Sequence, residues 1–310
     1  MKPITPLSVR AFLAFIVLFS SFFAKADNTV DAPAGYSPTS VSYAAKGAKS
    51  QNLEGNKDVL LIQTSLPWNS NANTTVLDQL GYSYEIADIT QLGNVQLLNY
   101  RVVLIVNDQN QAFYDNYAAN YQVFEKYVKS GGTLLFFATD NGWAGGNNYT
   151  NLPGDVVVGD EFDFFNNVSK SDHVVVTGEL TNPPTFGNFP AIQNADLDGN
   201  YTSHNYFVES TLPPNSTIVF RSRTNNYPTF VSYPLGSGMV IASGITWEFT
   251  YDRYAGNNQR YGFGRALPDV FLYAMNLGSQ RKLDISDDVY PDDNRLPLTG
   301  RAKTWKGPGD

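Results

Sequence analysis

The run GGTLLFFATDNGWAGG, residues 131–146, carries an apolar stretch from Thr133 to Ala138 straight into Thr139, Asp140, Asn141 and Gly142. A tight turn at the end of a buried strand is where many α/β enzymes hold a nucleophile, which makes Asp140 a candidate nucleophile or base. Asp and Asn also favour such turns because their side chains bond the local backbone, so the same residues read equally as an ordinary turn. Glu248, in ITWEF, would serve as the acid, and His204, in NYTSHNYF, as an assisting base. Together Asp140, Glu248 and His204 describe a hydrolase acting on a glycan or an amide, on condition that the two carboxylates face each other about 5 to 10 Å apart across a cleft.

The same segments carry a second chemistry. Ligands of open α/β sheets sit beyond the carboxyl ends of the parallel strands, and there the sequence places Trp68, Asp108, Asn141, Trp143 and Trp247. Aromatic faces stack on the apolar faces of sugar rings while Asp and Asn take the hydroxyls, so this set describes recognition of a glycan or other surface polymer. The alternative is that the tryptophans plug the core beneath the loops. His173 follows Asp172 and reads as the cap of a strand.

NADLDGN resembles the first half of a calcium loop, with Asn194, Asp196, Asp198 and Asn200 as oxygen ligands and Gly199 at the turn. Where such a loop carries a bidentate Glu at its twelfth position, this chain has Asn205. The expected cofactor is therefore none, or one structural calcium ion. The acidic cluster Asp284, Asp287, Asp288, Asp292 and Asp293 reads as a solvated tail. LPLTG at 296–300 matches a wall-anchoring signal, but RAKTWKGPGD follows it where that signal has an apolar span, so it reads as chance.

These residues must be positioned by the elements around them. From Lys57 the pattern alternates: strand KDVLLIQT, a helical stretch with Val76, Leu77 and Leu80 closed by Gly81, strand YEIADI, a short helical piece, and strand RVVLIVN. A helix follows whose apolar positions Phe113, Tyr117, Tyr121, Phe124 and Val128 recur at helical spacing, stopped by Gly131. Runs such as VLLI, VVLIV and TLLFFA are continuously apolar, as expected where helices cover both faces of a sheet. The pattern predicts an α/β fold with a doubly wound, mostly parallel, flavodoxin-like sheet. Residues 150–210 read as an irregular insertion rich in Asn, Gly and Pro. After STIVFRS comes an antiparallel hairpin around Pro234, and a last helix spans about 266–277.

This order, with GGTLLFFATDNG, SDHVVVTGEL, NYTSHNYF and YPLGSGMVIASGITWE, resembles the class I glutamine amidotransferase-like superfamily, specifically its exported domains of unknown function. The resemblance covers roughly residues 57–278. Members that hydrolyse glutamine carry a cysteine at the elbow and a His and a Glu after a later strand. Here the elbow falls near Asp140, the chain has no cysteine, and Glu248 has no adjacent His. The resemblance thus implies the fold without glutamine hydrolysis, and an exported binding or scaffold module rather than an enzyme. A purely structural surface or matrix protein is the remaining alternative.

Residues 1–26 read as a secretory signal cleaved after Ala26: Lys2 and Arg10 form a basic start, 11–23 an apolar core, and Ala24, Lys25, Ala26 a small-x-small site. Residues 27–56 read as a flexible lead-in and 279–310 as a mobile acidic tail. A secreted or periplasmic location follows, with no membrane attachment after cleavage. The formal charge of −8 becomes more negative when the signal leaves, which excludes nucleic acid as a partner. Five N-x-S/T triplets start at Asn73, Asn148, Asn167, Asn200 and Asn215. The sequence is silent on oligomeric state.

Overall fold

A computed structural model of the chain describes residues 57–181, 191–255 and 259–280. The signal segment 1–26, the lead-in 27–56, Trp305, LPLTG and the acidic cluster of the tail lie outside the described residues, as does the side chain of Asn200.

Among the described residues nine strands form the sheet: β1 Val59–Ile62, β2 Tyr84–Ala87, β3 Val102–Ile105, β4 Thr133–Phe137, β5 Val158–Val168, β6 Asp198–Phe207, β7 Thr217–Ser222, β8 Pro228–Leu235 and β9 Gly238–Ser243. Their order is β2-β1-β3-β4-β9-β8-β7-β5-β6. From β2 to β9 every pairing is parallel, and from β9 to β6 every pairing is antiparallel. The sheet is therefore mixed, which corrects the expectation of a mostly parallel one.

The difference arises in 150–210, read as an irregular insertion, whose described residues include the long strands β5 and β6 at the far edge. Their sequences, VGDEFDFFNNV and DGNYTSHNYF, hold so many polar residues that no clean alternation signals a half-buried strand. Register shifts between Asp160 and Phe165 blur the period further.

Helices cover both faces. Alternate residues of the parallel strands enter two cores, because successive strand side chains point to opposite faces. Leu60, Ile62, Val103, Ile105, Leu134 and Phe136 pack against Phe113, Tyr117, Phe124 and Tyr127. With α1 as Ala72–Leu80, those rings come from the next two helices, α2, Gln111–Ala119, and α3, Tyr121–Lys129. Val59, Leu61, Leu104, Leu135 and Phe137 face the opposite core with Val76 and Leu77 of α1. That core is completed by α4, Trp247–Ala255, and α5, Leu267–Ser279, through Trp247, Val270, Phe271 and Ala274. Each fully buried Leu or Phe contributes about 1.5–3 kcal/mol.

The helical period at 113–128 resolves into two helices rather than one. They break at Asn120, whose φ of −108° and ψ of 11° lie outside the helical range. Gly131 then turns with φ 101°. Among the described residues no helix is long and apolar enough to cross a membrane.

Candidate site at the carboxyl edge of the sheet

Parallel alignment brings the segments after β1, β3, β4 and β9 to one edge. Three of these segments contain non-glycine residues in the left-handed region: Trp68 (φ 47°) and Asn69 (φ 58°) after β1, Asp108 (φ 49°) after β3 and Asn141 (φ 49°) after β4. Such conformations cost on the order of 1 kcal/mol or more each and persist only where the surroundings hold them.

Asp108 is the holding group. Its carboxylate accepts the backbone N–H of Trp68 at 2.9 Å and that of Ala144 at 2.8 Å, tying the first loop to the third. Gly142 passes directly over it, and a Cβ there would strike the Asp108 carboxylate and stand 3.1 Å from Trp68 Nε1. Burial pushes the Asp108 carboxyl up to about 6, against the two backbone hydrogen bonds.

Glu248, in the first turn of α4, is fully buried. Asn73 donates to it at 2.9 Å and Asn107 at 2.6 Å. Asn107 also donates to the Ile245 carbonyl at 3.1 Å and accepts the Thr139 N–H at 2.8 Å, so one amide joins the ends of β3, β4 and β9. Burial raises the Glu248 carboxyl to about 7, opposed by the bonds from Asn73 and Asn107.

Asp140 is buried as well and accepts from Asn148 N at 2.6 Å and from Asn205 Nδ2 at 3.0 Å. Burial lifts its carboxyl to about 7. His204 donates from Nδ1 to the Asp140 carbonyl at 2.9 Å, and burial lowers its imidazole to about 4. Both His204 and Asn205 sit on β6. That strand crosses the edge, with Ser203 bridged to Ile245 and the His204 N–H donated to the Gly244 carbonyl at 3.0 Å. Gly244 has to be a glycine, since a Cβ would run into the Asn205 carbonyl.

The three residues read as a hydrolytic set thus need correction. Asp140, Glu248 and His204 are sealed from solvent, and each is bonded to the chain itself. The place where the sheet edge would open is closed by β6.

Of the five residues read as ligand-binding, Asn141 and Trp143 are half-buried at the rim. Trp247 is a core residue, a correction: it has no exposure, packs against Phe220, Phe230 and Phe263, and donates Nε1–H to Ser243 Oγ at 2.8 Å. Trp68 is 5% exposed and Asp108 fully buried, so both build the rim from beneath rather than line it. Sequence reasoning missed Phe249 and Phe162. Phe249 lies edge-on between Trp68 at 5.9 Å and Trp143 at 6.1 Å, and Phe162 lies 4.5 Å from His204. The Arg253 guanidinium covers the Phe249 ring at 3.1 Å. Phe249 follows Glu248 directly, so the motif ITWEF contained it.

The calcium reading also fails on geometry. Asn194 Oδ1 accepts from Val168 N at 2.8 Å, Asp196 pairs with Arg265 at 3.0 Å, and Asp198 pairs with Arg223 at 2.7 Å. The oxygens diverge to three partners, because NADL forms a turn of 3-10 helix and Asp198 already begins β6. No group of three His, Asp or Glu among the described residues could hold a metal ion. His173 caps the short helix Val174–Thr177 rather than a strand, accepting from Val175 N at 3.3 Å. Of the glycosylation triplets, Asn73 and Asn148 are buried, whereas Asn215 is exposed.

No family model matches the sequence. An uncharacterised protein of Clostridium acetobutylicum is 30% identical over 263 residues, covering 77% of this chain and 25% of that protein, so the chain spans a quarter of its relative's length. Solved structures with a similar arrangement include a glutamine amidotransferase from Thermotoga maritima, 13% identical, covering 76% of this chain and 99% of that one at a TM-score of 0.40. A cytoplasmic protein from Salmonella typhimurium is 15% identical over 70% of this chain and 98% of its own, with a TM-score of 0.42. An exo-β-1,4-mannosidase from an Opitutaceae bacterium is 10% identical over 69% of this chain and 36% of its own, with a TM-score of 0.38. These likenesses are too loose to bear on the chemistry of this chain.

Proposed function

We propose that the chain is an exported, cysteine-less relative of the class I glutamine amidotransferase-like domains that acts as a binding or scaffold module rather than an enzyme. Its ligand is a glycan or related surface polymer, held at the rim of the carboxyl edge by Trp143 and Asn141, with Phe249 beside them. One observation carries this reading: Asp140 and Glu248, the carboxylates of that edge best placed in sequence for catalysis, are buried and bonded to neutral groups of the same chain. A hydrolase needs its acid and base open to the scissile bond, whereas a binding rim needs only exposed ring faces on a rigid support. Raised carboxyl values near neutrality suit acid–base work, but here burial causes them, and that same burial removes the groups from substrate.

Export rests on the basic, apolar and small-x-small order of residues 1–26, and the acidic charge fits a neutral polymer better than a phosphate-bearing one. The test is a glycan array with wild type and Trp143→Ala, beside a hydrolysis assay with Asp140→Asn. Binding that Trp143→Ala abolishes supports the proposal. Hydrolysis that Asp140→Asn abolishes, or an array without any binding, would leave the hydrolase or the purely structural reading in its place.

A further inference from the structure

The antiparallel half carries an aromatic feature of its own. Tyr206 of β6 lies over Gly159 of β5, so closely that a Cβ at Gly159 would enter the Tyr206 ring. Tyr227, in the turn before β8, stacks on Tyr206 with centroids 4.2 Å apart and planes 20° from parallel. One face of Tyr227 is therefore covered, and the 39% of the residue that remains exposed lies away from that face.

The ring is held from several directions. Tyr227 N donates to Ser222 Oγ at 3.2 Å, and Ser222 N donates to the Tyr227 carbonyl at 2.8 Å. Thr224 N donates to Asp163 at 3.0 Å, and Arg221, paired bidentately with Glu209 at 2.7 and 2.8 Å, donates to the Asn226 carbonyl at 2.9 Å. Bonded into this turn are the Glu161 carboxylate, which accepts from Ser222 Oγ at 3.1 Å and from Asn225 Nδ2, and the exposed Glu209 through Arg221.

We infer that Tyr227, backed by Tyr206, is a second carbohydrate platform, on which a pyranose ring stacks while Glu161 and Asn225 take its hydroxyls. The open ring face offers an apolar plane to the C–H face of a sugar. The rim is rich in acceptors, which match hydroxyl donors. A polyproline segment offers carbonyl acceptors and no N–H at its prolines, so it gives the Glu161 carboxylate no donor, whereas a sugar hydroxyl does. Pre-ordering the turn lowers the entropy cost of binding. The ligand class is that of the proposed function, but the site is separate and stands on its own geometry.

Native affinity electrophoresis of the full chain with laminarin, galactomannan and xylan tests this, using Tyr227→Ala, Tyr227→Phe and Trp143→Ala. At least one polysaccharide retards wild type, Tyr227→Ala weakens that binding about tenfold or more, and Tyr227→Phe retains it because the ring face remains. A melting temperature for Tyr227→Ala within a few degrees of wild type separates lost binding from lost folding. Retardation abolished by Trp143→Ala but unchanged in Tyr227→Ala overturns the platform and leaves the carboxyl-edge reading standing. The converse supports the platform against that reading. No retardation by any of the three polysaccharides overturns it, as does binding of a proline-rich peptide that Tyr227→Ala abolishes.

Discussion

Asn205 grips Asp140 at two points: its side-chain amide donates to a carboxylate oxygen at 3.0 Å, and its side-chain oxygen accepts the Asp140 N–H at 3.1 Å. The same amide donates to Asp160 at 3.1 Å. One residue of an edge strand thereby closes the carboxyl edge of the parallel half and links β4, β5 and β6.

Removing that clamp has a calculable cost. Asn205→Ala leaves the buried Asp140 N–H unpaired and takes one donor from its carboxylate, which keeps the Asn148 N–H, at a cost of roughly 2–4 kcal/mol. Urea unfolding checks this, and hydrogen exchange should quicken first along 202–206. A loss below about 0.5 kcal/mol would mean that β6 is held elsewhere.

Stability should rise as the pH falls from about 8 towards 6.5. The carboxyls of Glu248, Asp140 and Asp108 are raised by burial to about 7, 7 and 6. The folded chain holds their protons more tightly than the unfolded one, so this stabilisation is complete below the ordinary carboxylate range and is lost as the pH climbs through those values. His204 and His173, lowered to about 4 by burial, act oppositely: they favour the fold above about 6.5 and cease to do so as the pH falls through 4. Between pH 8 and 6.5 the carboxyls dominate. Melting temperatures across this range, with Glu248→Gln flattening the slope, check the sign.

Chelation should leave the melting temperature unchanged, because Asn194, Asp196 and Asp198 answer to Val168, Arg265 and Arg223 instead of to one ion. Asp196→Ala should cost about 2–4 kcal/mol even so, since it strands a buried guanidinium. A chelator-induced drop that Asp196→Ala abolishes would restore the metal reading.

The two tryptophans at the edge should behave differently. Trp247→Ala opens the core among Phe220, Phe230 and Phe263 and should cost roughly 3–5 kcal/mol. Trp143→Ala, at the rim, should cost about 1 kcal/mol or less and act mainly on binding. Calorimetry of the two variants side by side distinguishes them.

Local physics made much of this fold legible. Runs such as VLLI and TLLFF must be covered on both faces because every residue is apolar, and the structure divides them between two cores. Gly131 was readable as a stop from its freedom to take positive φ. The gathering of Trp68, Asp108, Asn141 and Glu248 at one edge followed from strand order and loop position.

Tertiary structure decided which of those residues meet solvent. Trp143 and Trp247 both follow sheet strands, yet Trp247 opens a helix whose first turn faces the core, and its packing against Phe220 of β7, Phe230 of β8 and Phe263 sets that direction. NADLDGN has the spacing of a calcium loop, but the arginines that neutralise its acids lie 25 and 69 residues away in sequence. The edge itself was closed by β6, a strand hidden in sequence by its polar composition. Burial is a property of what a distant segment lays on top, and a linear pattern records only which residues would tolerate being covered.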